Sequence, residues 1–181
     1  MHPYVAFFNE DVPLRQLKDS LENDGFENID ILHFAGGLVF DTENYGDEAA
    51  TKLEHILEEE FDEDGFVIVR SRVRLSRLLQ ENPLLDECQE YRTRFLLFER
   101  PLIDSRKQAA LAWAEPHPSF RLRFGREGGY LCFKGETDRL KRGLSQIEEK
   151  LRQPALAVTE DMVERAIEVV GEHEARLEAS L

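Results

Sequence analysis

Apolar residues along this chain fall into short runs and spaced stripes that alternate in period. Tyr4 to Phe8 is a compact apolar run and reads as a strand. Asp11-Val12-Pro13 follows, and proline suits the first turn of a helix. Leu14, Leu17 and Leu21 recur at helical spacing until Gly25 stops the helix. Ile29 to Phe34 predicts a second strand, Gly36-Gly37 a turn, and Leu38 to Asp41 a third strand. Ala49, Leu53, Ile56 and Leu57 mark a second helix that ends near Phe61. The acidic turn Asp62-Glu63-Asp64-Gly65 leads into strand Phe66 to Arg70. Ser71 caps a short helix carrying Val73, Leu75, Leu78 and Leu79, which Asn82-Pro83 ends.

The same order then recurs. Thr93 to Phe98 is strand-like, and Ser105 to Ala114 is helical, closed by Pro116 and Pro118. Phe120 to Phe124 alternates with Arg121 and Arg123, as a half-buried strand does. Gly128-Gly129 turns the chain into Tyr130 to Lys134. Thr137 is expected to cap a helix with Leu140, Leu144, Ile147 and Leu151, which Pro154 ends, and Ala155 to Val158 is a last strand. Thr159 caps a final helix that Gly171 is expected to close, with the polar tail Glu172–Leu181 either helical or frayed. The self-similarity of the halves predicts an α+β protein of two tandem ferredoxin-like βαββαβ units with antiparallel sheets. Superposing residues 4–70 on 93–158 should pair all four strands and both helices. The expected limits are residues 1–83 for the first unit and its capping helix, 84–90 for a linker, 91–171 for the second unit and C-terminal helix, and 172–181 for a tail.

Alternation also assigns faces. In the first unit Tyr4, Ala6 and Phe8 oppose Val5 and Phe7, while Ile29, Ile31 and His33 oppose Asp30, Leu32 and Phe34. Both faces are largely apolar, so both need cover. One takes the unit's own helices; the other is left for the second unit, an apolar ligand or another subunit. In the second unit Arg121, Arg123, Tyr130, Cys132 and Lys134 share the face opposite Phe120, Leu122, Phe124, Leu131 and Phe133.

Charge sharpens this picture. The formal net charge is −14. Residues 1–65 carry 3 basic and 18 acidic side chains, residues 66–155 carry 18 and 12, and residues 156–181 carry 2 and 7. The acidic first third argues against wrapping nucleic acid with the whole chain. The basic middle is expected to complement acidic parts of the same protein or a sister subunit. No apolar run is long enough to span a membrane, and the N-terminus lacks the pattern of a signal peptide. The two cysteines, Cys88 and Cys132, lie far apart, which predicts a reducing compartment, no disulfide framework and a cytoplasmic protein.

Several segments together carry a family resemblance. They are the opening strand Tyr4-Val5-Ala6-Phe7, the hairpin and strand Ala35-Gly36-Gly37-Leu38-Val39-Phe40, the stretch Val67-Ile68-Val69-Arg70-Ser71 with its helix ending in Asn82-Pro83-Leu84, and Gly125 to Leu131. In this order they resemble the bacterial family known as domain of unknown function 1697. The chain departs from that family at three polar segments, where it has Asn9-Glu10-Asp11-Val12-Pro13, Glu136-Thr137-Asp138-Arg139-Leu140 and Thr159-Glu160-Asp161-Met162. These are the positions most suited to binding in the family, so the resemblance implies no activity.

The common chemistries lack their parts. His2, His33, His55, His117 and His173 have no partner at metal-ligand spacing. The stretch Asp41 to Gly46 resembles a calcium loop but has Lys52 where the bidentate glutamate belongs. No nucleophile elbow occurs, Cys88 lies outside any motif, and Cys132 is expected to pack within its strand. The runs Gly36-Gly37 and Gly128-Gly129 join strand to strand, so they read as hairpin turns rather than phosphate loops. Arg126 to Phe133 partly resembles the central motif of RNA-recognition sheets, but departs at Glu127 and Gly128.

The sequence therefore predicts a binding or interaction protein without catalytic residues, metal or cofactor. Its expected binding residues are Arg70, Arg121, Arg123, Tyr130 and Lys134. One rival is an enzyme that holds a small anionic substrate in a groove between the units, through Arg70, Arg121 or Arg123. The other is RNA binding through the basic sheet face. A homodimer is admitted as a partner state; nucleic acid and membrane are not expected.

Overall fold

The fold is described from a computed structural model covering residues 1–9, 11–33, 36–62 and 65–181. The expected strand end at Phe34, the motif residues Glu10 and Ala35, and the turn residues Glu63 and Asp64 lie outside the described residues. The chain runs β1 (His2–Phe8), α1 (Leu14–Asn23), β2 (Glu27–Leu32), β3 (Gly37–Thr42), α2 (Gly46–Phe61), β4 (Val67–Arg70) and α3 (Arg72–Gln80). It continues as β5 (Arg92–Leu97), α4 (Asp104–Ala114), β6 (Phe120–Phe124), β7 (Gly129–Phe133), α5 (Thr137–Leu151), β8 (Leu156–Val158) and α6 (Glu160–Ala179). The sheets have the orders β2-β3-β1-β4 and β6-β7-β5-β8, and every pairing is antiparallel. These are two ferredoxin-like units, as the repeated pattern predicts.

In the first unit Ala6, Phe8, Leu38, Phe40 and Val67 point to α1 and α2, where they meet Leu17, Leu21, Leu53 and Leu57 in one core. In the second, Leu96, Phe98, Leu122, Leu131 and Phe133 do the same with Ala110, Leu140 and Ile147. Gly25 at φ +83° lets the backbone turn out of α1.

The hairpin glycines have a purpose beyond turn geometry. A Cβ on Gly37 would lie 2.7 Å from the Ala6 carbonyl oxygen, and one on Gly128 would lie 2.4 Å from that of Leu96. Both backbones press against the neighbouring strand at the equivalent place, so close approach is what excludes a side chain there.

Two expectations need correcting. First, α6 does not close at Gly171 but runs on to Ala179, so of the two forms expected for the tail the helical one is found. Second, the compact units are Met1–Ser76 with Asp161–Leu181, and Arg77–Glu160. The sequence limits assigned α6 to the second unit, whereas it belongs to the first. The reason lies in its buried stripe Val163, Ala166, Val169, Val170 and His173, the last of which bonds to β2 and β3. The apolar second face of the first sheet, with Val5, Phe7, Val39 and Ile68 buried, is thus served by a helix of its own unit. The chain passes from one unit to the other within α3, between Ser76 and Arg77.

Candidate functional site

The second unit presents a basic groove along its edge strand. β6 is the outermost strand of its sheet. Its neighbour bonds through Ser119, which accepts from the Lys134 N–H, and through Gly125, which donates to Gly128. Between these, antiparallel register makes Arg121 and Arg123 the residues whose backbone faces β7. The backbone of Phe120, Leu122 and Phe124 is therefore directed to the outer edge. A cleft of about 620 Å³ runs beside that edge, lined among others by Tyr91, Leu111, His117, Arg121, Leu122 and Arg123. The Arg123 guanidinium donates to the Leu122 carbonyl at 2.8 Å and so caps one acceptor of the edge.

Arg121 and Lys134 gather on the segment that precedes β5. Arg121 lies 5.5 Å and Lys134 4.5 Å from the centre of the Tyr91 ring. Arg121 also pairs with Glu87 at 3.5 Å, and Lys134 with Glu90 at 3.9 Å. Hydrogen bonding to Arg121 first, and then the Lys134 charge, lowers the Tyr91 phenol below its usual range. The carboxylates that pair with these two cations thus come from the expected linker, which lies in the basic part of the chain, rather than from the acidic first third.

The remaining predicted site residues are placed elsewhere. Tyr130 does share the face of Arg121 and Arg123, being paired across from Arg123, but its ring is fully buried. The ring packs edge-on against Phe95, and the hydroxyl donates to the Leu78 carbonyl at 2.8 Å. Burial, reinforced by Glu81 and Glu127, pushes its phenol up to about 12. An RNA-recognition sheet needs this ring open for stacking; here the second half of α3 lies over it. Arg70 is also buried, at the end of β4 in the first unit, where it donates to the Val69 carbonyl at 2.9 Å.

The cysteines give the clearest correction. Cys88 and Cys132, expected to be unpaired, form a disulfide across 44 residues with their Cα atoms 6.3 Å apart. Cys132 is a β7 residue on the face that carries Tyr130, and residues 84–91 return across that face before entering β5. Sequence separation could not reveal this meeting, because the long-range pairing of β5 with β7 creates it.

A second constellation escaped sequence reasoning. His173 of α6 has no exposed surface and stands between two carboxylates. Its Nδ1 is 2.9 Å from Asp41 Oδ1 and its Nε2 is 2.8 Å from Asp30 Oδ2. Asn28 donates to the other oxygen of Asp41 at 2.7 Å, and Arg176 donates to Asp30 at 3.3 Å. Both ring nitrogens thus lie within hydrogen-bonding distance of a carboxylate oxygen, so the ring is held from both sides. Burial would raise Asp30, but the hydrogen bonds from His173 and Arg176 outweigh it and hold the carboxyl below its usual range. Asn28, at φ +50° in the irregular start of β2, is what brings its amide to Asp41. The calcium-like stretch therefore turns its first aspartate inward to a histidine. Among the described residues no group of three or more His, Cys, Asp or Glu is arranged to hold a metal.

Fold and groove define an α+β protein of tandem ferredoxin-like units with a basic sheet edge. The chain belongs to the DUF1697 family, described as a protein of unknown function, whose family model matches residues 4–123. Of the three departures from the family pattern, those at 136–140 and 159–162 lie beyond the matched span. Among solved structures the chain is similar to the conserved bacterial protein SP0830 from Streptococcus pneumoniae. The two share 14% identity, the match covers 93% of this chain and 98% of that one, and the TM-score is 0.70. At that identity the likeness concerns the fold. No curated protein matches the chain. None of these comparisons indicates a catalytic function.

Proposed function

We propose that this protein is an interaction protein that takes an acidic, extended segment of another chain along the edge of β6. The observation that carries the reading is the alternation of Arg121 and Arg123 on an edge strand with a cleft beside it. A strand added to this edge would bond to the outward backbone of Leu122 and Phe124. Its acidic side chains would meet the two arginines, and its apolar ones would enter the cleft beside Leu111 and Leu122. A partner carboxylate would replace the Leu122 carbonyl as acceptor for Arg123, exchanging a neutral acceptor for a charged one.

A second copy of this chain fits the same edge poorly, because antiparallel pairing of two β6 strands sets arginine against arginine. A homodimer, where one forms, would use another surface. Nucleic acid is disfavoured by the buried Tyr130 ring. The histidine between two carboxylates supports no enzyme reading, since His173 is closed to any substrate. No helix among the described residues is long and apolar enough to cross a membrane. A cytoplasmic location completes the reading; disulfides there are commonly transient or redox-sensing.

The test is fluorescence anisotropy with a short labelled peptide of alternating Glu and Val. Binding is expected, weakened about tenfold or more in Arg121→Ala with Arg123→Ala, and reduced by salt. Equal binding by both proteins would overturn the reading. Preferential binding of single-stranded RNA would replace it with the nucleic-acid one.

A further inference from the structure

We infer that the Cys88–Cys132 disulfide is a redox clamp that sets the availability of the basic β6 face. The inference rests on the reading of that face as the binding site. Three observations converge on the segment between Leu84 and Tyr91. Leu84 is buried and its N–H is held by Asn82 at 2.9 Å, which anchors one end. Tyr91 leads directly into β5, which anchors the other. Between them Cys88 is bonded to Cys132 of β7, so the middle is pinned to the sheet. The pinned stretch carries Glu87 and Glu90, whose carboxylates meet Arg121 and Lys134. The clamp therefore holds an internal acidic competitor against Arg121, one of the two arginines that an acidic partner would use, and against Lys134 beside it.

The chemistry is thiol–disulfide exchange with a dithiol reductant. Cys132 has no exposed surface and Cys88 is 7% exposed, so Cys88 is the more accessible of the two and the one a reductant meets first. A thiolate of the reductant bonds to Cys88 Sγ, the protein S–S bond breaks, and Cys132 leaves as a thiolate that takes a proton from water. The reductant's second thiol, as thiolate, attacks its own sulfur in the mixed disulfide and releases the Cys88 thiolate, which is protonated in turn. Two electrons pass to the protein, and the dithiol becomes a disulfide. With the bond open, residues 85–90 lose their covalent tie to β7 and keep the end anchors, the local turn bonds from Glu87 N–H to Leu84 and from Tyr91 N–H to Cys88, and the two exposed ion pairs. Glu87 and Glu90 then exchange their fixed positions for solvent, and Arg121 and Lys134 become available.

The experiment compares the oxidised full chain, the same chain treated with excess dithiol, and two variants, Cys88→Ser and Glu87→Gln with Glu90→Gln. Free-thiol titration defines each redox state. The alternating Glu and Val peptide reports affinity, and amide hydrogen exchange reports on residues 85–90. The expected result is about 3- to 30-fold tighter binding after reduction, as for two exposed ion pairs released. Cys88→Ser should match the reduced protein, and the Glu variant should bind tightly without reduction. Exchange over 85–90 should rise on reduction. Should Cys88→Ser fail to fold, the Glu variant and reduced wild type carry the test. Unchanged affinity and exchange on reduction would overturn the clamp while leaving the binding site standing. Faster exchange with no peptide binding in any state would overturn the site while leaving a redox-released segment. Two free thiols that resist mild oxidation would overturn the clamp outright.

Discussion

The two sheets share a topology and an apolar helix-covered face, yet their opposite faces are finished in different ways. In the first unit that face ends in a buried polar network: Asp41 and His173 have almost no exposed surface and are joined through Asp30 to Arg176. In the second unit it ends in a buried phenol and a disulfide, with its cations left at the rim. The difference teaches which face is built to hold and which to exchange. A fully partnered buried network orients α6 on its sheet, because each member loses its hydrogen-bond partners if the helix shifts. Exposed pairs such as Arg121–Glu87 contribute only ~0–1 kcal/mol, so they can be traded for a partner's carboxylates.

The comparison breaks most forcefully at the buried network. His173→Ala should leave Asp41 as a buried carboxylate supported by Asn28, and should cost about 3–5 kcal/mol, read as a lower urea midpoint. A loss under about 1 kcal/mol would mean that the network contributes as little as a surface pair. Gly128→Ala comes next. Its Cβ would sit 2.4 Å from the Leu96 oxygen, so the β6–β7 hairpin must shift, at a cost of about 1–3 kcal/mol in the same measurement. Gly37→Ala tests the equivalent place in the first unit.

Smaller effects sharpen the contrast. Tyr130→Phe removes the bond to Leu78 while keeping the ring, and should cost about 0.5–1.5 kcal/mol. The phenol itself gives a pH signature. Its folded value is raised from 10.0 to about 12, so its contribution is fully present below pH 10 and is lost as pH rises towards 12. Ultraviolet titration should find Tyr91 ionising before Tyr130, and Tyr130→Phe should flatten the alkaline fall in stability. On the acid side Asp30 is held low, so its contribution is present above the ordinary carboxylate range and is lost as pH falls through the depressed value. Denaturant midpoints measured down that range should fall less steeply in Asp30→Asn.

The repeated βαββαβ order is legible in the sequence, because period-two and helical stripes, capping residues and glycine pairs are local signals. The sequence also placed Arg121, Arg123, Tyr130 and Lys134 on one side of the second sheet, through alternation within each strand and the hairpin register between them, and it carried the family resemblance. It did not determine which of these residues meet solvent. Tyr130 and Arg121 alternate on one face, yet one is sealed under the end of α3 and the other is half exposed. Only tertiary structure decided that α6 belongs to the first unit, that His173 reaches Asp30 and Asp41 from more than a hundred residues away, and that Cys88 meets Cys132. Such contacts depend on which apolar stripe covers which sheet face. Several stripes here are interchangeable by composition, so the choice falls to shape, to burial and to the few polar groups that must find a partner once water is excluded.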